Sequence, residues 1–261
     1  MQTQEYEKAK KIIKVTQRKY PDNLKVLRLL PLTEYFQKKL PQAEIHFQEL
    51  WEKYNDLDSA VNLSFTYLHQ KKFKKGWDLF EKRKETSIDF GTKNIPKQNR
   101  LIELPKKDEN VLVYWEQGFG DTLNFSRYLP LLAKHCNKVY FKPQSQLFSF
   151  FKENESTLSI EVVNDFPKSD LYQKTSSLMS LPRLFENNDN TIKKSFKQFN
   201  IDNSFKKKYS PLFKDYNNFK IGLYWEHNIQ QRQETKRSVP FKKFDQILKL
   251  QSCSFFSLQK E

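Results

Sequence analysis

The stretch 111–132, VLVYWEQGFGDTLNFSRYLPLL, narrows the choice of fold more than any other part of the chain. It opens on Val111-Leu112-Val113-Tyr114-Trp115, a short run of the β-branched and aromatic kind that buried strands use. Glu116-Gln117-Gly118-Phe119-Gly120-Asp121 follows, with two of the chain's five glycines around one carboxylate. A helical pattern then places Leu123, Tyr128, Leu131 and Leu132 among the polar Thr122, Asn124, Ser126 and Arg127. A strand, a glycine turn and a helix in that order gather backbone N–H groups at the carboxyl end of a strand. In α/β sheets, anionic ligands and catalytic side chains collect there.

The turn by itself has two readings: a ligand-facing loop, or a tight connection whose Asp121 only caps the helix. It is not a Walker loop, because no Gly-Lys-Ser/Thr follows. The dinucleotide fingerprint is not completed either, since Leu123 stands where its last glycine belongs.

A soluble chain is expected from 37% hydrophobic residues and a mean hydropathy of −0.82, and no run approaches the roughly 18 apolar residues of a membrane span. The polar start, MQTQEYEKAKK, carries no secretory signal pattern. Cys136 and Cys253 stand far apart without CxxC spacing, which argues against a metal site or disulfide framework and for a reducing cytoplasm. The net charge of +15, from 46 basic and 31 acidic residues, attracts anions in general. Lysine far exceeds arginine, as in proteins of AT-rich genomes, and no basic–aromatic motif is present. Nucleic acid is therefore not the expected partner.

Residues 1–86 carry a repeat. The small residue at Ala9 recurs at Ala43, 34 positions on, and at Gly76, 33 further. Tyr20 and Asp22 return as Tyr54 and Asp56. Each unit reads as two amphipathic helices that approach closely at the small position. This resembles the tetratricopeptide repeat, whose period is about 34 residues, although its usual Trp and Gly-Tyr positions are mostly missing. A plain helical bundle with accidental periodicity is the alternative.

A linker is expected over 87–110, where Gly91, Pro96 and Pro105 interrupt the pattern. Strands and helices then alternate: a strand at 138–141, a helix at 144–151, a strand at 159–163, and a strand and helix within 171–185. That alternation predicts a parallel, helix-flanked sheet over 111–190. Residues 191–218, rich in Asn and Lys, read as a solvated connector. A second strand is expected over 220–225 and leads to Glu226-His227-Asn228. A basic loop then runs to Arg237-Ser238-Val239-Pro240, before a helix near 244–250 and a strand over 253–258. His135 and His227 have no partners at ligand spacing, and no paired carboxylates of metal-binding type occur.

Five segments in order, EQGFGDTLNFSRYLPLL, SSLMSLPRLF, KIGLYWEHN, RSVPF and FFSLQ, resemble bacterial proteins that join tetratricopeptide repeats to a glycosyltransferase domain of the heptosyltransferase-like family. The phrase Gly76-Trp77-Asp78-Leu79-Phe80-Glu81-Lys82-Arg83 resembles the last repeat helix of those proteins. The resemblance implies an α/β chain with an N-terminal all-α repeat region, a Rossmann-like first lobe over 111–190 on the acceptor side, and a second Rossmann-like lobe from 219 on the nucleotide-sugar side. It implies metal-independent transfer of a sugar from a nucleotide sugar to a glycan or protein acceptor, with no cofactor besides that donor. Asp121 would be the general base. Gly118 and Gly120 would let the backbone approach substrate, and Arg237 with Ser238 would neutralise the leaving diphosphate. Glu116, Gln117, Trp225 and Asn228 are further substrate-binding candidates, with a core role for Trp225 equally open.

Two departures qualify that expectation. Trp225 is followed by Glu226-His227-Asn228 rather than a Gly-Asn-Pro-like turn, and the family's later Asp-Thr…His segment has no counterpart by residue 261. The second lobe over 219–261 is accordingly expected to be partial, and a truncated or split transferase is expected, with activity of the isolated chain left open. A docking protein using its repeat helices on a partner is the competing function. The setting expected is cytoplasmic, with a peripheral position at the inner membrane face left open.

Overall fold

Strand β1, Asn110–Tyr114, lies inside a four-stranded, wholly parallel sheet ordered β3-β2-β1-β4. Its neighbours are β2, Lys138–Lys142, and β4, Lys174–Ser177, while β3 is the two-residue Glu161–Val162. The computed structural model describes residues 2–85, 99–185, 199–201, 203–226 and 238–259, without the side chains of 2–4. Val111, Val113, Val139 and Phe141 alternate onto one face. There they meet Leu129 and Leu132, Phe151, and Leu158. These come from helices α8 (Leu129–Ala133), α9 (Phe148–Glu153) and α10 (Glu155–Leu158). Leu112, Tyr114 and Tyr140 alternate to the other face and are buried too. Burial on both faces is why β1 reads as an unbroken apolar run.

The N-terminal region is helical: α1 (Gln2–Lys19), α2 (Leu24–Leu27), α3 (Leu29–Phe36), α4 (Leu40–Tyr54), α5 (Leu57–His69) and α6 (Phe73–Phe80). Ala43 and Phe47 of α4 pack against Leu63 and Tyr67 of α5 in a small core of their own. A Cβ on Gly76 would lie 2.7 Å from Leu68 Cγ, so the small position does allow the close α5–α6 approach that the repeat demanded. Asp56 caps α5, with Oδ2 accepting from the Ser59 N–H at 3.1 Å and from its hydroxyl at 2.6 Å. The corresponding cap before α2 is Asn23 rather than Asp22.

A stricter repeat lies in the turns. Lys38 and Lys71, 33 residues apart, both adopt left-handed backbone (φ 62° and 60°). Lys39 N–H donates to Glu34 O and Lys72 N–H to Tyr67 O, each at 2.9 Å; Lys38 to Tyr35 O and Lys71 to Leu68 O, each at 3.0 Å. These paired bonds are the Schellman closure of a helix.

The chain divides into two compact units, Met1–Asn200 and Ile201–Glu261. The helices and the four-stranded sheet thus share one unit. The expected linker falls largely at 86–98, outside the described residues. Trp77 of α6 meets Phe125 edge-on at 5.8 Å, Phe125 stacks on Tyr128 at 6.4 Å, and Tyr128 on Phe185 at 6.0 Å. This aromatic series ties the last helix to the layer that follows β1.

In the second unit, β5 (Phe219–Leu223) and β6 (Cys253–Ser257) form a parallel pair. Part of the expected connector belongs to it: residues 203–209 are helical, and Phe213 and Tyr216 both pack their rings on Phe256, at 4.8 and 5.0 Å. Among the described residues, no helix is long and apolar enough to cross a membrane.

Candidate functional site at the carboxyl end of the central strand

Strand order reverses at β1: the chain goes from β1 to β2 and β3 on one side, then returns to β4 on the other. A crevice outside the carboxyl ends of strands at such a reversal is where open α/β sheets bind ligands. The loop after β1 carries Glu116, Gln117 and Gly118, and Gly120 stands in the first turn of the helix that follows. The loop after β4 opens into a 3-10 turn, Leu178–Leu184, that carries Ser180.

Helix α7, Phe119–Phe125, starts immediately after Gly118, and Gly118, Phe119 and Gly120 are all exposed. Asp121 is half-buried; its Oδ2 accepts from the Gly118 N–H at 3.0 Å, while Thr122 N–H donates to Gly118 O at 3.1 Å. The capping role is therefore real. It uses one carboxylate oxygen, and Oδ1 has no hydrogen-bond partner among the described residues. Nothing lies within 4 Å of a Cβ built on Gly120, and its φ is not left-handed, so packing makes no demand for glycine there. Gln117 does have left-handed backbone, φ 67°. Its carbonyl accepts from Gln144 Nε2 at 3.3 Å, while the buried Oε1 of Gln144 has no partner among the described residues.

Glu116 departs from the role expected of it. Only 1% exposed, it has both carboxylate oxygens occupied by Arg83 from the 3-10 turn Glu81–Glu85: Nε to Oε1 at 2.8 Å and Nη2 to Oε2 at 2.7 Å. Arg83 also donates to Ser177 Oγ (3.2 Å), Ser180 Oγ (3.0 Å), Phe80 O (3.0 Å) and Glu81 Oε1 (2.9 Å). Its face lies over the Phe80 ring at 4.1 Å. Every N–H of the guanidinium fork is thereby engaged. Burial acts to lower the Arg83 pKa, but bonding to Glu116 and Glu81 raises it overall. Burial likewise pushes the Glu81 carboxyl up, yet Lys84 and Arg83 overcome this and hold it at about 2. The floor of the crevice is thus filled by a cation the helical region supplies, neutralised where it sits.

Above that floor opens a cavity of about 560 Å³. Lys25, Arg28, Asn62, Phe65, Arg83 and Gln117 are among the residues that line it. Its lining thus reaches from helices α2 and α5 to the residue preceding Gly118. None of the cavity's cationic residues was evident from sequence. The signal was there for Arg83, in the phrase Phe80-Glu81-Lys82-Arg83, but nothing local paired it with Glu116, 33 residues away.

The remaining candidates belong to the second unit or lie outside the described residues. Trp225, half-buried in the second unit, packs on the exposed Phe241 with ring centres 4.6 Å apart. Ser238, half-buried, is also in that unit. Asn228 and Arg237, with His227, lie outside the described residues. Among the described residues no cluster of three His, Cys, Asp or Glu side chains could hold a metal ion.

In comparisons with protein-family models, curated proteins and solved structures, nothing matches the chain.

Proposed function

We propose that the chain is a glycosyltransferase-like protein of the GT-B kind, moving a sugar from a nucleotide sugar to a glycan or protein acceptor in the cytoplasm. The observation that carries this reading is Asp121, with one unengaged oxygen, beside exposed Gly118 and Gly120 where the strand order reverses. Asp121 Oδ1 accepts the acceptor hydroxyl proton as that oxygen bonds to the anomeric carbon. The bond from that carbon to the diphosphate oxygen breaks, and the diphosphate leaves with the electron pair. Arg237 and Ser238 are proposed to stabilise its charge, as the resemblance implies. Gly120, free of any packing requirement, supports close approach of substrate to backbone.

The test is incubation of the full chain with radiolabelled nucleotide sugars and cell lysate. An Asp121→Asn variant keeps an oxygen for the Gly118 N–H and so preserves the cap, but loses the base. Label should transfer with the native chain and drop at least a hundredfold in the variant. Full labelling by the variant refutes the assignment of Asp121.

A second reading, a non-catalytic docking protein, draws on a different observation. The cation at the floor of the crevice is saturated by Glu116 and Glu81, so it offers no charge to a diphosphate. Absence of transfer to any acceptor, with partner capture by the full chain intact, favours this reading.

A further inference from the structure

We infer that a pocket of about 180 Å³ beside β4 binds a phosphate-class oxyanion, either the free ion or the terminal group of a small phosphomonoester. It shares no lining residue with the 560 Å³ cavity, and the inference does not depend on transferase activity.

The sheet itself assembles the pocket. Residues 99–101 add a short parallel edge beyond β4: Leu101 N–H donates to Thr175 O at 2.8 Å, and Thr175 N–H to Asn99 O at 2.9 Å. That bridge sets Arg100 level with Thr175, which is in turn the register partner of Leu112 on β1. Side chains at level positions of neighbouring strands share a face. Arg100, Thr175 and Tyr114 therefore leave the sheet on the side away from the Val111 and Val113 core, where Glu81, Lys84 and Arg183 also line the pocket. The volume is below the roughly 300–1,000 Å³ of sites for larger ligands, yet holds several waters at roughly 30 Å³ each. A small tetrahedral ion fits; a nucleotide does not.

Charge comes next, counted with every partner. Lys84 pairs with Glu81 Oε2 at 2.8 Å, Lys82 with Glu85 at 3.0 Å, and Arg83 with Glu116 at 2.7 Å. Three cations thereby match three carboxylates, and Arg100 and Arg183 remain. Arg183 lies 3.9 Å from Glu81 Oε2, an oxygen Lys84 already holds. Its Nη2 donates to Ile102 O at 2.8 Å, which leaves Nε and Nη1 without a hydrogen-bond partner among the described residues. The exposed Arg100 guanidinium has no hydrogen-bond or ion-pair partner among them at all. Two guanidinium groups over one small pocket suit an oxyanion, because each can offer parallel N–H bonds to two oxygens.

Two hydroxyls supply the third observation. Thr175 is 1% exposed and Tyr114 4%, and neither hydroxyl has a hydrogen-bond partner among the described residues. A buried polar group left unpaired costs stability, so two in one pocket call for an occupant that accepts hydrogen bonds. Burial above all, with Glu116 nearby, pushes the Tyr114 phenol up to about 12 although Arg100 acts the other way. It is therefore protonated at neutral pH and able to donate. A phosphate offers only acceptors to these donors and cancels the positive surplus.

Isothermal titration calorimetry of the full chain, at neutral pH and a constant ionic strength of about 0.15 M, tests this with inorganic phosphate, glycerol 3-phosphate, uridine diphosphate and chloride. Phosphate or glycerol 3-phosphate should bind saturably and raise the Tm, and whichever binds more tightly tells the free ion from the terminal group. Arg100→Gln, which breaks no bond of the fold, should weaken that binding at least tenfold. Thr175→Val should weaken it several-fold while the ligand-free chain becomes no less stable, since valine leaves no hydroxyl unpaired. An equal Tm rise with chloride would mean screening of net charge alone. Uridine diphosphate binding more tightly than either phosphate, and lost in Arg100→Gln, would mean a nucleotide site. Either overturns the inference, as do unaltered affinity in Arg100→Gln or no binding of either phosphate. Asp121→Asn should bind phosphate like the native chain, so failure of this site and failure of the transferase reading are told apart.

Discussion

Arg83 and Glu116 meet in a two-pronged ion pair, Nε to Oε1 at 2.8 Å and Nη2 to Oε2 at 2.7 Å, with neither side chain exposed to solvent. The pair joins the turn after the last N-terminal helix to the loop that ends the central strand. Two charges so deeply buried are stable only together, because either one alone keeps its desolvation cost and loses its partner. Arg83→Ala should therefore destabilise the first unit by about 3–5 kcal/mol, measured by urea unfolding. Joint replacement, Arg83→Met with Glu116→Leu, should recover most of that loss. Equal destabilisation by single and double variants would show that the pair is not the source.

Glu81 makes the first unit sensitive to acid. Its carboxyl, held at about 2 against an ordinary 4.5, is lower in the folded than in the unfolded chain. Its stabilising contribution, on the order of 2–3 kcal/mol, is therefore complete above about pH 4.5 and fades as pH falls towards 2. Glu81→Gln should lower stability at neutral pH and flatten the pH profile across that window. A profile as steep as the native one would assign the acid sensitivity elsewhere.

Gly120→Ala separates folding from function. A methyl group there meets nothing within 4 Å, and alanine favours helix, so the variant should be more stable by about 0.4–1 kcal/mol. If Gly120 is kept for substrate approach, transfer to the acceptor should fall while thermal stability rises. Unchanged transfer would remove Gly120 from the site.

Gly76→Ala has the opposite expectation. Its methyl would lie 2.7 Å from Leu68 Cγ and Cδ2 and 3.2 Å from the Leu68 backbone nitrogen. Overpacking of that kind outweighs the gain in helix propensity, for a net loss of roughly 1 kcal/mol. Calorimetry should show a lower Tm, and a higher one would mean that α6 can slide away from α5.

What was legible in the sequence was whatever repeats locally. The β1 run, the glycine turn and the order of later strands could be read because burial on both faces leaves an apolar signature. Ala43 and Gly76 were legible because helix packing selects small residues. The more faithful repeat, Gln37-Lys38-Lys39 against Gln70-Lys71-Lys72, was overlooked because lysine carries no reputation for left-handed turns; glycine does. The pairing of Glu116 is illegible in the sequence for a different reason. A carboxylate beside a glycine loop looks available until its counter-ion is found, and the counter-ion sits on another element. The same non-local pairing hid Arg28 and its two aspartates.

The aromatic series from Trp77 to Phe185 has a practical consequence for anyone wishing to study the helices in isolation. A recombinant fragment ending near residue 85 would present a guanidinium cut off from Glu116 and an indole cut off from Phe125 to water. Its clumping would then report a severed seam and reveal nothing of its natural associates. Screens for binding partners should begin with the first 200 residues intact.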